Sequence, residues 1–301
     1  MYRNPYAQFQ PGGIWEGLKR SFRRGTALTR LIYVNVGFFL FLKLVEVGFV
    51  LAGYQRVEAL LLAYTGVPAL PEELLYTPWT IVTYMFTHFG FLHLLFNMLW
   101  LYWFGSMFLN YFSGRKLVWV YVLGGLFGAL LYMAAYSVFP AFAEERYLSR
   151  AIGASASVMA VVFAVCAYLP NHRVYVFLVG PVRLITLALF TALIDVLSIP
   201  GTNAGGHIAH LGGALFGVLF TLSVRRSAGG AGFWGKLWKA SPRKPKMKVK
   251  YKRASEMTDR EYNEHKRQRS DRINEILDKI SKSGYGSLTK EEKELLFKER
   301  R

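Results

Sequence analysis

Along this chain, six apolar segments alternate with short polar breaks, and two basic stretches frame the whole. Charges are scarce between Leu31 and Val224 and crowd outside those limits. Several apolar runs approach the roughly 20 residues a helix needs to cross about 30 Å of hydrocarbon. The pattern predicts an all-α membrane protein with spans over about 31–54, 90–108, 117–139, 152–170, 174–197 and 206–224. The fourth apolar stretch opens with Gly153-Ala154-Ser155-Ala156 and stops at Pro170; Gly180-Pro181 interrupts the fifth. Gly124, Gly125 and Gly128 in the third supply a Gly-xxx-Gly spacing that permits close helix approach. Lys43 and Glu46, three apart inside the first span, read as a mutually neutralising pair or a snorkelling contact.

The flanks set the orientation. Residues 1–30 carry six Lys/Arg, the break after the second span has Arg115 and Lys116, and the break after the fourth has Arg173. The alternate loops hold Arg56, then Arg146 and Arg150, then none. Positive residues collect on the inner side, so both termini are expected in the cytoplasm, in a bacterial inner membrane. Ile14, Leu18 and Phe22 recur at helical spacing and predict a short interfacial helix. Residues 55–80 read as a long first loop with interfacial helices lying against the bundle. Arg183 falls inside the fifth predicted span, where the pattern gives it no role.

Composition agrees: 53% of residues are hydrophobic and 16% aromatic. The net charge of +18 would suit nucleic acid, but its basic residues flank apolar runs as topology and anionic lipid require. No nucleic-acid partner is expected. From Lys236 to Arg253 nine of eighteen residues are basic, with Trp234, Trp238 and Tyr251 close by. This juxtamembrane strip, within a linker over 227–255, predicts a grip on anionic lipid. Beyond it, residues 256–301 read as a small cytoplasmic helical hairpin. Ile273, Ile276, Leu277 and Ile280 form one stripe, Gly284 suits a helix stop, and Thr289 to Glu292 is a capping box before Leu295, Leu296 and Phe297. The lone Cys166 excludes an internal disulfide and a cysteine metal site.

The chemistry lies at one end of three spans. A 1.5 Å rise per residue places Ser155 about 5 Å, His210 about 6 Å, and His93 and Asn97 about 5–10 Å below the outer ends of their helices. Polar groups left against lipid are costly, so these should face one another or water. A serine hydroxyl becomes a nucleophile when a base removes its proton, and a neutral imidazole such as His210 serves. Charge developing on an attacked carbonyl needs fixed donors, available from Asn97, His93 and the Ser155 backbone N–H. Gly153 allows close backbone approach before the serine. Each residue also has a packing reading: His93 and Asn97 as an interhelical pair, and Gly213 and Gly217 as close-approach glycines.

Taken together the motifs resemble the rhomboid family of intramembrane serine proteases over about 78–224. His93-xxx-Asn97 matches the family's His-xxx-Asn, Gly153 to Ala156 its Gly-x-Ser-Gly, and Ala209-His210 with Gly213 and Gly217 its last-span motif. Two departures stand out: Ala156 where Gly is commoner, and Pro78-Trp79-Thr80 where many members carry Trp-Arg. The resemblance implies a six-span rhomboid bundle over 31–226 and a serine endopeptidase cleaving single-span membrane proteins through a Ser155/His210 dyad. It also implies no metal, cofactor or third acid, which leaves Asp195 a structural residue. A catalytically inactive scaffold that binds membrane clients is the alternative, and such proteins lose the Ser or His retained here. A metalloprotease built on His88, His93, His207 and His210 lacks HExxH and a companion carboxylate. A transporter would show inverted repeats or paired broken helices, and neither is evident.

Overall fold

The structure, a computed structural model, describes residues 14–176, 179–227, 271–281, 287–289 and 291–292. It divides into two units, 1–239 and 240–301.

The first unit is helical, as the pattern predicts. α1 (Ile14–Arg24) and α2 (Ala27–Leu51) meet at Thr26, whose hydroxyl caps α2 by accepting from the Thr29 N–H. Arg30 fastens the junction by donating to the Phe22 and Arg23 carbonyls. Next come α3 (Val57–Thr65), the strand β1 (Val67–Pro68) and the short α4 (Thr80–Thr83). The bundle continues with α5 (Phe91–Tyr111) and α6 (Gly114–Val138), then the strand β2 (Arg150–Ala151) and α7 (Ser155–Tyr168). A hairpin of β3 (Arg173–Val176) and β4 (Gly180–Arg183) leads into α8 (Leu184–Ser198) and α9 (Ala204–Ser227).

Among the described residues six helices of ten residues or more are apolar, and four of these are long and apolar enough to cross a membrane: α2, α5, α6 and α9. α7 and α8, at 14 and 15 residues, fall short; a rise of 1.5 Å per residue makes them about 21–23 Å long. The fifth predicted span is therefore corrected. Residues 174–176 and 180–183 are strands, not helix: alternating Val174-Tyr175-Val176 pairs antiparallel with Gly180-Pro181-Val182, and Gly180 takes φ +89°. Arg183 thus ends a strand on an exposed edge instead of lying inside a helix. It joins the basic side already marked by Arg173.

Burial runs inside out, as lipid demands. Large apolar side chains such as Leu44, Phe91, Phe190 and Leu197 are exposed on the outer helices, whereas Ala156 to Cys166 of α7 are buried without a break. A helix apolar on every face belongs at the centre of a bundle. α7 packs mainly against α9 and α6, then α5. Glycines permit the approach: a Cβ at Gly213 or Gly217 would run into the backbone carbonyl of Ala156 or Ala160, and one at Gly124 into the Ala160 methyl. Some buried polar groups pair between helices. Asn35 of α2 donates to the Tyr121 hydroxyl of α6 at 3.0 Å, and Tyr121 donates on to the Met85 carbonyl at 3.0 Å. Lys43 and Glu46 pair at 2.7 Å, the neutralising arrangement their spacing predicts.

In the second unit, residues 271–281 are helical with Ile276 buried. The capping box forms in both directions, Thr289 N–H to the Glu292 carboxylate at 2.7 Å and Glu292 N–H to the Thr289 hydroxyl at 3.3 Å. Lys279 pairs with Glu292 at 2.9 Å. That bond, first of all, holds the Glu292 carboxyl below its ordinary value. The polybasic strip, Gly284 and Leu295 to Phe297 lie outside the described residues.

Candidate active site

The nucleophile candidate is presented by a turn. β2 pairs antiparallel with β1 (Val67 opposite Ala151, Pro68 opposite Arg150), which ties the first loop to the entry of α7. The chain then bends at Gly153, φ +111°, whose N–H donates to the Tyr84 carbonyl at 2.8 Å. Ser155 follows as the first residue of α7. This corrects the expected helix start near Ile152: Ser155 sits at the helix end, not about 5 Å inside it. Its N–H has no carbonyl one turn back, so it remains a donor in the favourable field of the helix N-terminus.

His88 stands five residues upstream of the His93-xxx-Asn97 motif, and the resemblance to the rhomboid family gives it no role in the site. It is fully buried. Its Nδ1 donates to the Phe86 carbonyl at 3.1 Å, and its Nε2 accepts the Ala154 N–H at 3.3 Å. It therefore fixes the residue preceding the serine, and its ring meets that of His93 edge-on, centroids 4.9 Å apart. No sequence signal distinguishes it from a packing histidine.

One cavity of about 950 Å³ brings together His93, Asn97, Ser155 and His210, with Phe96, Trp100 and Met159 among its apolar walls. Counting from the observed helix starts, His93 lies about 3 Å and Asn97 and His210 about 9 Å into their helices. Asn97 Nδ2 donates to the His93 carbonyl at 2.9 Å, the common side-chain bond to the preceding turn. Among the described residues no hydrogen bond joins Ser155 Oγ to His210; such catalytic bonds often tighten only when substrate is bound.

On the far side of His210 stands Asp195 of α8. Its Oδ1 accepts from His210 Nδ1 at 2.9 Å and from His207 Nδ1 at 2.8 Å. The ligand atoms of the three lie within 4.8 Å of one another, close enough to hold a cation. The resemblance leaves Asp195 outside the site because the family uses no third acid, and His207 because it fails the spacing to Gly213 and Gly217 that His210 meets. A 12-residue gap across a helix turn carries no pairing signal.

Residues 76–227 match the rhomboid domain. The chain belongs to the rhomboid family. Residues 257–298 match a family of unknown function, DUF6576. Similar curated proteins include the mitochondrial presenilin-associated rhomboid-like protein of Mus musculus, 32% identical over 164 residues, which are 52% of this chain and 40% of that one. The Danio rerio presenilin-associated rhomboid-like protein A, mitochondrial, is 29% identical over 172 residues (53% and 42%). RHOMBOID-like protein 12, mitochondrial, of Arabidopsis thaliana is 27% identical over 156 residues (49% and 46%). The chain thus spans less than half the length of these relatives.

The two departures from the rhomboid pattern have local answers. Ala156 is accommodated because its methyl lies over Gly128, where a second Cβ would come within 2.7 Å. In place of a Trp-Arg anchor, Trp79 Nε1 donates to the Tyr64 carbonyl at 2.8 Å, Thr83 to the Thr65 carbonyl at 3.0 Å, and Arg150 pairs with Glu73 at 2.6 Å. These bonds hold the first loop to the rhomboid domain. Gly213 and Gly217 serve the helix packing described above.

Proposed function

We propose that this rhomboid is an intramembrane serine endopeptidase, cleaving transmembrane segments of single-span membrane proteins. The observation that carries the reading is the shared cavity, to which α5, α7 and α9 each contribute a polar group of complementary chemistry. In the proposed reaction Ser155 Oγ attacks the scissile carbonyl while His210 takes its proton. The oxyanion is met by the Ser155 N–H, His93 and Asn97. His210 returns the proton to the departing amine, and water then hydrolyses the acyl ester by the same base.

Six spans with both termini on the basic side are part of this reading, supported by the charge pattern and the six apolar helices. The related proteins named above are mitochondrial, while the bacterial inner membrane is the expectation from the sequence; fractionation of cells producing the chain decides the compartment. The 236–253 strip is proposed to bind anionic lipid, with its nine basic residues as support. Phosphatidylserine vesicles should retain the protein more strongly than phosphatidylcholine vesicles, and charge reversal in the strip should abolish the difference.

The decisive experiment is labelling with a fluorophosphonate and mapping the adduct by mass spectrometry. Labelling is expected at Ser155. Ser155→Ala and His210→Ala should each abolish cleavage of a model single-span substrate while remaining folded; full activity in both would remove the dyad. Asn97→Ala should lower turnover about ten- to a thousandfold, and unchanged kinetics would take Asn97 out of the oxyanion site.

A further inference from the structure

We infer that Asp195 is a positioning residue that turns the Ser155/His210 pair into a triad, with His207 as a second clamp on the carboxylate. The inference rests on the protease reading for its catalytic consequence, but not for its geometry.

Asp195 is only 5% exposed, and among the described residues its ion-pair partners are His207 and His210. A carboxylate accepts and does not donate, so each Nδ1 facing Oδ1 carries a proton. For His210 that settles the tautomer: Nε2 is left bare, and it alone can take the proton from Ser155. When it does, the imidazolium formed lies 2.9 Å from a largely buried carboxylate, where the pairing of opposite charges is stronger than in bulk water. His207, one turn before His210 on the same face of α9, donates to the same oxygen. Two donors from one helix fix the carboxylate's rotamer, and the rings meet edge-on at 81°.

A purely structural role accounts poorly for this residue. Among the described residues Asp195 Oδ2 is buried without a hydrogen-bond partner, and an uncompensated carboxylate oxygen in an apolar bundle is costly. A neutral Asn could accept from both histidines without carrying a charge. The charge has a use only if something opposite appears beside it during turnover, and proton transfer to His210 supplies that.

The test joins kinetics to a readout independent of proteolysis. In Asp195→Asn, kcat should fall between about a hundredfold and the roughly ten-thousandfold seen when the acid of a serine triad is neutralised, with KM within about threefold. Asp195→Glu should recover part of kcat, and His207→Ala should cost less than Asp195→Asn because His210 keeps its acceptor. In ¹⁵N-histidine spectra, the Ser155→Ala protein should show His210 protonated at Nδ1 and bare at Nε2. Adding Asp195→Ala should give mixed tautomers. The same tautomer with and without Asp195, or wild-type kcat in Asp195→Asn while Ser155→Ala and His210→Ala are dead, would overturn the proposal. Activity lost to EDTA and restored by Zn²⁺ would also overturn it, making the trio a metal site. If Ser155→Ala and His210→Ala both cleave normally, the protease reading fails, and the tautomer alone decides the positioning. Should Asp195→Ala misfold, Asp195→Glu and His207→Ala retain the kinetic test.

Discussion

Gly153 carries two constraints at once. Its φ of +111° lies where side chains are strained, and a Cβ there would come within 2.7 Å of the His93 ring. Gly153→Ala should therefore cost about 1–3 kcal/mol of stability through the backbone, and push His93 out of the cavity as well. Thermal unfolding in detergent and the fluorophosphonate labelling rate at Ser155 would both fall; a change in neither would show that the turn tolerates a side chain. His88 carries a quieter constraint. Removing its Nε2 leaves the Ala154 N–H buried and unpaired, a loss of about 1–3 kcal/mol, and His88→Ala should slow labelling without touching substrate. Gly153 and Ser155 were legible because their motif is contiguous. His88, Asp195 and His207 were not, because a histidine or aspartate in an apolar helix looks the same whether it packs or positions.

At the scale of elements, the glycines of α6 and α9 are not equivalent to those of α2. A Cβ at Gly217 meets backbone of α7, whereas one at Gly37 meets nothing within 4 Å among the described residues. Gly217→Ala should lower the unfolding temperature measurably. Gly37→Ala should leave it unchanged or raise it slightly, since Ala favours a helix over Gly by about 0.8–1.0 kcal/mol. Equal effects at the two sites would mean that α7 and α9 are not held by close approach. Helix existence was readable from hydropathy for all six apolar segments. The ends of α7 and the fate of 173–183 were not, because β-branched alternation and a Gly-Pro turn compete locally with an apolar run that looks long enough to span.

For the whole molecule, the two units should respond differently to acid. Glu292, whose carboxyl is held low by Lys279 and the Thr289 N–H, favours the folded second unit above the ordinary glutamate value. That contribution disappears as pH falls through the depressed value. Hydrogen exchange at pH 6 and pH 3 should show protection lost at 271–281 on acidification, and Glu292→Gln should reduce the dependence. Protection in the buried α7 should persist across that range.

By itself the sequence determined that this is a multi-spanning helical protein, which ends carry the basic charge, and which serine, histidines and asparagine stand near one face. Those follow from composition and period, properties of single segments that hydrocarbon and water sort without reference to neighbours. Only the tertiary structure decided that α7 lies at the centre, that His88 braces the turn before Ser155, and that Asp195 meets both His207 and His210. Each depends on how close two backbones come and which way a ring turns, and those distances are set by packing between elements far apart in the chain.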